Sequence, residues 1–71
     1  MYDFSADDVF EMAEQLERNG GKFYRSAMGK VDDEENKKLL RMLAEMEDEH
    51  EKIFAAMRAE LTADEKAATV F

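Results

Sequence analysis

Apolar residues recur along the chain at helical spacing and predict two long helices. In the first, they follow one another at intervals of three and four residues, which places them on one face of a helix. They are Val9, Phe10, Ala13, Leu16, Gly20, Phe23, Tyr24, Ala27 and Met28. Charged residues, Glu14 among them, fall on the opposite face. Because Ser5 is a typical N-cap and Gly29 a typical C-terminal stop, we expect this helix over about 6–28.

A second apolar stripe follows after a short link. Its members are Leu39, Leu43, Met46, Ile53, Phe54, Met57 and Leu61. Asp32 or Asp33 can cap this helix, with acidic residues in its first turn, so the pattern predicts a helix over about 33–61. A capping-box pattern beginning at Thr62 restarts or redirects the chain, which leaves a tail over 62–71.

The short link predicts that the two helices are antiparallel neighbours, so residues 1–71 are expected to form one all-α helical hairpin. Such a hairpin cannot cover two broad apolar stripes by itself. We therefore expect a homo-oligomer, at least a dimer, in which two hairpins complete a four-helix bundle. The alternative is a long coiled-coil-like hairpin without a site, which would account for the stripes equally well.

Composition removes several classes of protein. With 71 residues and no cysteine, the chain has no disulfide, thiolate zinc site or iron–sulfur centre, so oligomerisation or a carboxylate-bound metal is left to stabilise it. The net charge of −8 argues against nucleic acid, which needs clustered basic residues. No apolar run approaches the roughly 18 residues of a membrane span, and the acidic N-terminus is unlike a signal peptide. The cytoplasm is the expected location.

Three polar residues fall inside the apolar arcs, where the stripes do not explain them. His50 lies at the centre of the second arc, Glu47 lies inside the same arc, and Glu17 lies within the first. A buried carboxylate must be neutralised, paired or bound to a metal, because leaving it unpaired costs several kcal/mol.

The spacing of Glu47 and His50 indicates a metal site. A Glu-x-x-His sequence puts both side chains on one side of a helical turn, as in di-iron carboxylate bundles, which also need one Glu from each of two further helices. One chain offers Glu17 together with this motif, and two chains offer the complete set of four carboxylates and two imidazoles. The competing interpretation is that His50 is a satisfied core or interface histidine that fixes the register of a helical interaction module.

The same segments resemble a known family. Glu17-Arg-Asn-Gly-Gly-Lys-Phe-Tyr24, followed by Leu43-Ala-Glu-Met-Glu47-Asp-Glu-His50, is similar to the first helix pair of the rubrerythrin branch of the ferritin-like superfamily. The resemblance covers roughly residues 6–61. It implies a four-helix di-iron bundle that reduces hydrogen peroxide or oxidises ferrous iron.

The resemblance also implies roles for individual residues. Glu17 would be the first-helix carboxylate ligand, Glu47 would bridge two metal ions, and His50 would bind one of them. Tyr24 would donate a hydrogen bond to a ligand carboxylate. The expected cofactor is two iron ions per dimer, with manganese as the alternative, and no catalytic residue is expected beyond the metal ligands.

Two departures from the family pattern shape the expectation. Rubrerythrins usually carry two such helix pairs and many carry a four-cysteine iron module, whereas this chain has one pair and no cysteine, so electrons would come from another protein. Encapsulated ferritin-like proteins, which build a di-iron site across a dimer, are also similar, although Leu16 and Asn19 replace their extra acidic residues. A third interpretation is an N-terminal fragment of a longer rubrerythrin-like protein.

Overall fold

The computed structural model describes residues 3–70, and its regular structure is helical. It contains α1 (Ala6–Met28), α2 (Glu34–Ala59) and the short α3 (Ala63–Ala67). The described residues contain no strand, which confirms the predicted all-helical class, and no helix among them is apolar over enough of its length to cross a bilayer. Met1, Tyr2 and Phe71 belong to the predicted range 1–71 but lie outside the described residues.

Local capping explains where the helices begin. The Ser5 hydroxyl accepts a hydrogen bond from the Asp8 backbone N–H at 3.1 Å, and the Asp8 carboxylate accepts one from the Ser5 N–H at 3.0 Å. Asp33 caps α2 through the Glu35 N–H, and Thr62 forms a second capping box. Each cap satisfies backbone donors that have no partner inside the helix. The α1 helix ends at Met28, as predicted, with Gly29 as its C-cap in a right-handed conformation.

Ion pairs between the two long helices show that they are antiparallel. Arg18 pairs with Glu51 at 2.7 Å, and Arg25 pairs with Asp48. A later residue of α1 thus meets an earlier residue of α2. Phe10 and Phe54 add a tilted ring contact, with centroids 6.4 Å apart, towards the other end of the hairpin. The two long helices therefore pack along most of their length.

The protomer is one helix layer thick. Its principal extents are 49 × 27 × 11 Å, and the smallest matches the diameter of a single helix. Among the described residues, Ala44 is the only buried apolar side chain. Since domains normally bury their core between two layers, this hairpin presents a core surface that it does not cover itself.

Large apolar side chains remain exposed along one surface, which we call the open apolar face. Its members are Met12, Leu16, Phe23, Leu39, Met42, Met46, Ile53 and Met57. Leu16 is 70% exposed and Phe23 is 67% exposed, so most of each side chain is uncovered. Contiguous apolar surface of this kind indicates an interaction site. Completion of a four-helix bundle by a second hairpin remains a prediction.

The tail returns to the start of α1. Ser5 and Thr69 form an antiparallel bridge, the Ala6 N–H donates to the Ala68 carbonyl at 2.8 Å, and the Val70 N–H donates to the Phe4 carbonyl at 2.8 Å. The capping box at Thr62 thus redirects the chain, as its sequence predicts, and α3 packs against α1. The return places both described ends of the chain at one end of the hairpin.

Candidate metal centre

The three predicted ligand residues lie together halfway along the hairpin. Glu17 comes from α1, and Glu47 and His50 come from α2. One ligand atom from each residue lies within 4.8 Å of the others, and the His50 Nδ1 is 3.3 Å from the Glu17 Oε2. The i, i+3 spacing places Glu47 and His50 on one turn of α2, so both reach the same side of the hairpin. This grouping of two carboxylates and one imidazole can hold a metal ion.

Gly20 makes room for the Glu47 side chain. A Cβ added at Gly20 would lie 3.1 Å from both the Cδ and the Oε2 of Glu47, which is tighter than ordinary van der Waals contact. The absence of a side chain therefore lets the Glu47 carboxyl rest against α1 beside Glu17. A glycine in a helix interior costs about 1 kcal/mol of stability relative to alanine. The close approach of the Glu47 carboxyl explains why glycine stands at position 20 despite this cost.

The Glu17 carboxyl disturbs that of Glu47 electrostatically. Hydrogen bonding to Glu17 raises the pKa of Glu47, burial and the Glu17 charge raise it further, and His50 opposes them. Within the described residues, the Glu17 Oε2 is buried and accepts no hydrogen bond. With both groups ionised, like charges face each other beside His50, whose Nδ1 lies 3.3 Å from the Glu17 Oε2 without forming a hydrogen bond. A bound cation supplies what these atoms lack, so the residues fit the metal that their pattern predicts.

His50 opens the centre towards the open apolar face. Its side chain is 47% exposed, while that of Glu17 is only 20% exposed. His50 lies between Met46 and Ile53 on the exposed stripe of α2, at the edge of the contact with α1, where its Nδ1 reaches Glu17. The apolar arc predicted for α2 is wider than the contact with α1, because it covers both that contact and the open apolar face. The centre is therefore accessible from the side where the apolar residues are uncovered.

Ion pairs join α1 and α2 on the side of the hairpin opposite the centre. Arg18 follows Glu17 and pairs with Glu51, which follows His50. The Arg25–Asp48 pair lies on the same side, near Gly21, which is itself buried. These pairs join the two helices next to the ligand residues without entering the centre. They fix the register in which Glu17 meets His50.

The predicted placement of Glu14 on the polar face of α1 is wrong. The residue is buried at 4% exposure, and its Oε2 lies 3.1 Å from the Nε of Arg58. Arg58 also approaches Asp7 and Glu11, each at 3.9 Å. The position of Glu14, four residues after Phe10 and three before Glu17, is the signal that identifies it as facing α2. The pair lies one turn from the metal centre.

Tyr24 lies in α1 two turns beyond Glu17 and is half-buried. Its ring meets Phe23 edge-on, with centroids 5.6 Å apart. In the part of the chain that the structure describes, its hydroxyl makes no hydrogen bond to a ligand carboxylate. The role of Tyr24 as a donor to the centre therefore stays a prediction.

Filling the space at Gly20 should weaken metal binding while leaving the hairpin folded. We expect Gly20→Leu to lower ferrous-ion affinity about 10-fold or more, because the new side chain displaces the Glu47 carboxyl. Leucine favours helix by about 0.8–1 kcal/mol over glycine, so the metal-free protein should not lose thermal stability. Anaerobic titration and circular dichroism measure the two effects.

Gly29→Leu provides the matched control for this experiment. A Cβ at Gly29 meets only the Ser26 carbonyl oxygen, at an ordinary 3.6 Å, so the same substitution there should leave affinity unchanged. Unaltered affinity in Gly20→Leu would show that the approach of Glu47 to α1 does not matter for binding.

Comparison with known proteins supplies one family. Residues 8–70, well over half of the chain, match the family profile described as Rubrerythrin. Neither a curated protein nor a solved structure matches the chain significantly. The matched range includes all three residues of the centre.

Proposed function

We propose that this chain, which belongs to the rubrerythrin family, is a di-iron carboxylate oxidoreductase whose metal centre is assembled from two copies. The observation that carries the proposal is the position of Glu17, Glu47 and His50 beside a large uncovered apolar face. One protomer supplies half of a di-iron ligand set, and it supplies that half where a second protomer can dock. The missing ligands and the missing half of the core would arrive together.

Each residue of the centre has a distinct task in this proposal. The Glu47 carboxyl, which rests against α1 at Gly20, would be the ligand shared between two metal ions, and Glu17 would supply a carboxylate to one of them. His50 would supply an imidazole nitrogen from the exposed stripe. Carboxylate and imidazole ligands suit iron, with manganese as the alternative. A pair of ferrous ions bound there would supply redox chemistry, namely two electrons for the reduction of hydrogen peroxide with two protons to two waters, or oxidation by oxygen.

The surroundings of the centre support this chemistry. Docking of a second apolar face excludes water from the ligands, which strengthens their electrostatic interactions. A separate electron-donor protein would return the metal to its ferrous state.

Anaerobic ferrous titration joined to a mass measurement tests the proposal. We expect saturation at about two iron ions per two chains, with a mass of at least a dimer. Glu47→Ala and His50→Ala should each lose stoichiometric binding. The exposed acids Glu45 and Glu49 offer matched controls, and their alanine variants should bind normally.

The helical interaction module remains the competing function, since the open apolar face by itself favours it. A dimer that binds no ferrous ion, and in which His50→Leu raises thermal stability, would replace the proposed enzyme with that module.

A further inference from the structure

Methionines are concentrated on the open apolar face. Four of the five methionines in the described residues are members of this face, and each is between 42% and 51% exposed. They are Met12, Met42, Met46 and Met57. The fifth, Met28, is the last residue of α1 and is half-buried. Most thioether groups of the described residues therefore lie on the uncovered surface of the hairpin.

Three of these methionines lie in one row with His50. Met42, Met46, His50, Ile53 and Met57 follow one another along α2 at intervals of four, four, three and four residues, which places them on one face of the helix. The row extends about 22 Å at 1.5 Å per residue. Met46 precedes His50 by one turn and Met57 follows it by two. A chemical change in these side chains therefore alters the surface on both sides of the metal centre.

Hydrogen peroxide, the substrate of the proposed function, oxidises methionine directly. The peroxide O–O bond breaks and an S–O bond forms, so the sulfur loses two electrons to the peroxide. The second oxygen leaves as water with both protons, and the product is methionine sulfoxide. Because the oxidant has to reach the sulfur, an exposed methionine reacts before a covered one. The chain has no cysteine to compete for the oxidant.

Sulfoxides on the open apolar face would oppose its burial. The remaining members of the face carry no hydrogen-bond donor in their side chains. They are Leu16, Phe23, Leu39 and Ile53. A sulfoxide oxygen buried against them loses its water and gains no partner, which is unfavourable. A two-fold interface contains each position twice, so four oxidised methionines in each chain place eight sulfoxides in one interface.

We propose that the four methionines of the open apolar face are a site of modification by peroxide, and that sulfoxide formation there prevents two copies of this chain from associating. Oxidation acts on the separated protomer, whose face is uncovered, whereas docking of a second copy shields the same sulfur atoms. The modification leaves Glu17, Glu47 and His50 chemically intact but withholds the other half of the centre. This inference rests on the dimer of the proposed function and assigns a control over its assembly.

Peptide mapping by mass spectrometry locates the oxidation. Metal-free protein is kept with a chelator, diluted until sedimentation shows a monomer, treated with hydrogen peroxide and quenched with catalase. We expect the four methionines of the face to react at about the rate of free methionine, and Met28 at least about 3-fold more slowly because it is half-buried. Equal rates at all five positions, or fastest oxidation at Met28, would overturn the site.

Sedimentation of the oxidised protein over a range of concentrations measures the consequence. We expect the dissociation constant of the dimer to rise at least about 100-fold, and reductases for the two sulfoxide epimers to restore it. A variant that combines Met12→Leu, Met42→Leu, Met46→Leu and Met57→Leu should keep its own dissociation constant when it is treated with peroxide. Met28→Leu is the matched control, and its dimer should be as sensitive to peroxide as that of the wild type.

The possible results separate this inference from the proposed function. An oxidised wild-type protein that still dimerises and binds ferrous ion would overturn the control by sulfoxide and leave the di-iron centre intact. Equal loss of the dimer in the four-leucine variant would also overturn it, because the harmful oxidation would then lie outside the face. A wild type that is monomeric before any peroxide is added, with and without ferrous ion, would overturn the control and the dimer together.

Discussion

We expect Ile53→Lys to separate the proposed dimer and to abolish stoichiometric ferrous binding, although it leaves every candidate ligand residue in place. Ile53 is 54% exposed on the open apolar face, one turn from His50. Covering an isoleucine is worth about 1.5–3 kcal/mol, and a two-fold interface counts each residue twice. Replacing it with a charge that must also be desolvated should raise the dissociation constant of the dimer at least about 100-fold.

Analytical ultracentrifugation over a range of concentrations measures the first effect, and anaerobic ferrous titration measures the second. Ala55→Lys is the matched control, because it adds the same charge to α2 at an exposed position outside the apolar stripe. It should dimerise and bind metal normally. If Ile53→Lys bound iron with the stoichiometry of the wild type while remaining monomeric, the centre would belong to one protomer and the shared ligand set would be wrong.

Arg58→Ala destabilises the hairpin more than any exposed charge deletion. Arg58 is the partner of Glu14, whose side chain is only 5% exposed, and the nearby Asp7 and Glu11 add negative charge. Removing the guanidinium leaves a buried carboxylate unpaired. Fully buried pairs lose roughly 3–5 kcal/mol in this situation, and because the Arg58 side chain is 31% exposed we expect about 2–3 kcal/mol.

Denaturant unfolding of the metal-free protein at neutral pH measures this loss. Arg41→Ala removes an exposed arginine from the same helix and should change stability by less than about 0.5 kcal/mol. Adding Glu14→Gln to Arg58→Ala should restore part of the loss, because the unpaired buried charge is gone. Equal stability of Arg58→Ala and Arg41→Ala would mean that the Glu14–Arg58 pair contributes nothing to the fold.

Local features of the fold could be predicted from sequence because they depend on near neighbours. The capping boxes at Ser5 and Thr62 involve residues three positions apart, so their signals lie within a few letters of sequence. The return of Thr69 to Ser5 could not be predicted in the same way. It pairs backbone groups far apart along the chain, and their hydrogen bonds carry no side-chain signature.

The three candidate residues of the centre could be singled out from sequence, but their surroundings could not. Glu17, Glu47 and His50 stood out because polar side chains interrupted an apolar arc. Periodicity alone does not determine which half of the α2 arc contacts α1. In the structure, His50 lies on the half that remains exposed. The burial of Glu14 depends on Arg58 from the other helix, so its own helix gives only the hint of its spacing.

The return of the tail has a consequence for rearranging the chain. Phe4 and Val70 are hydrogen-bonded, so the described ends of the protomer lie side by side, at the end of the hairpin away from the α1–α2 link. Neighbouring ends of this kind can be joined by a short linker without disturbing the elements between them. A circular permutant that begins in the α1–α2 link would therefore retain the hairpin, with its two long helices in the opposite order along the chain.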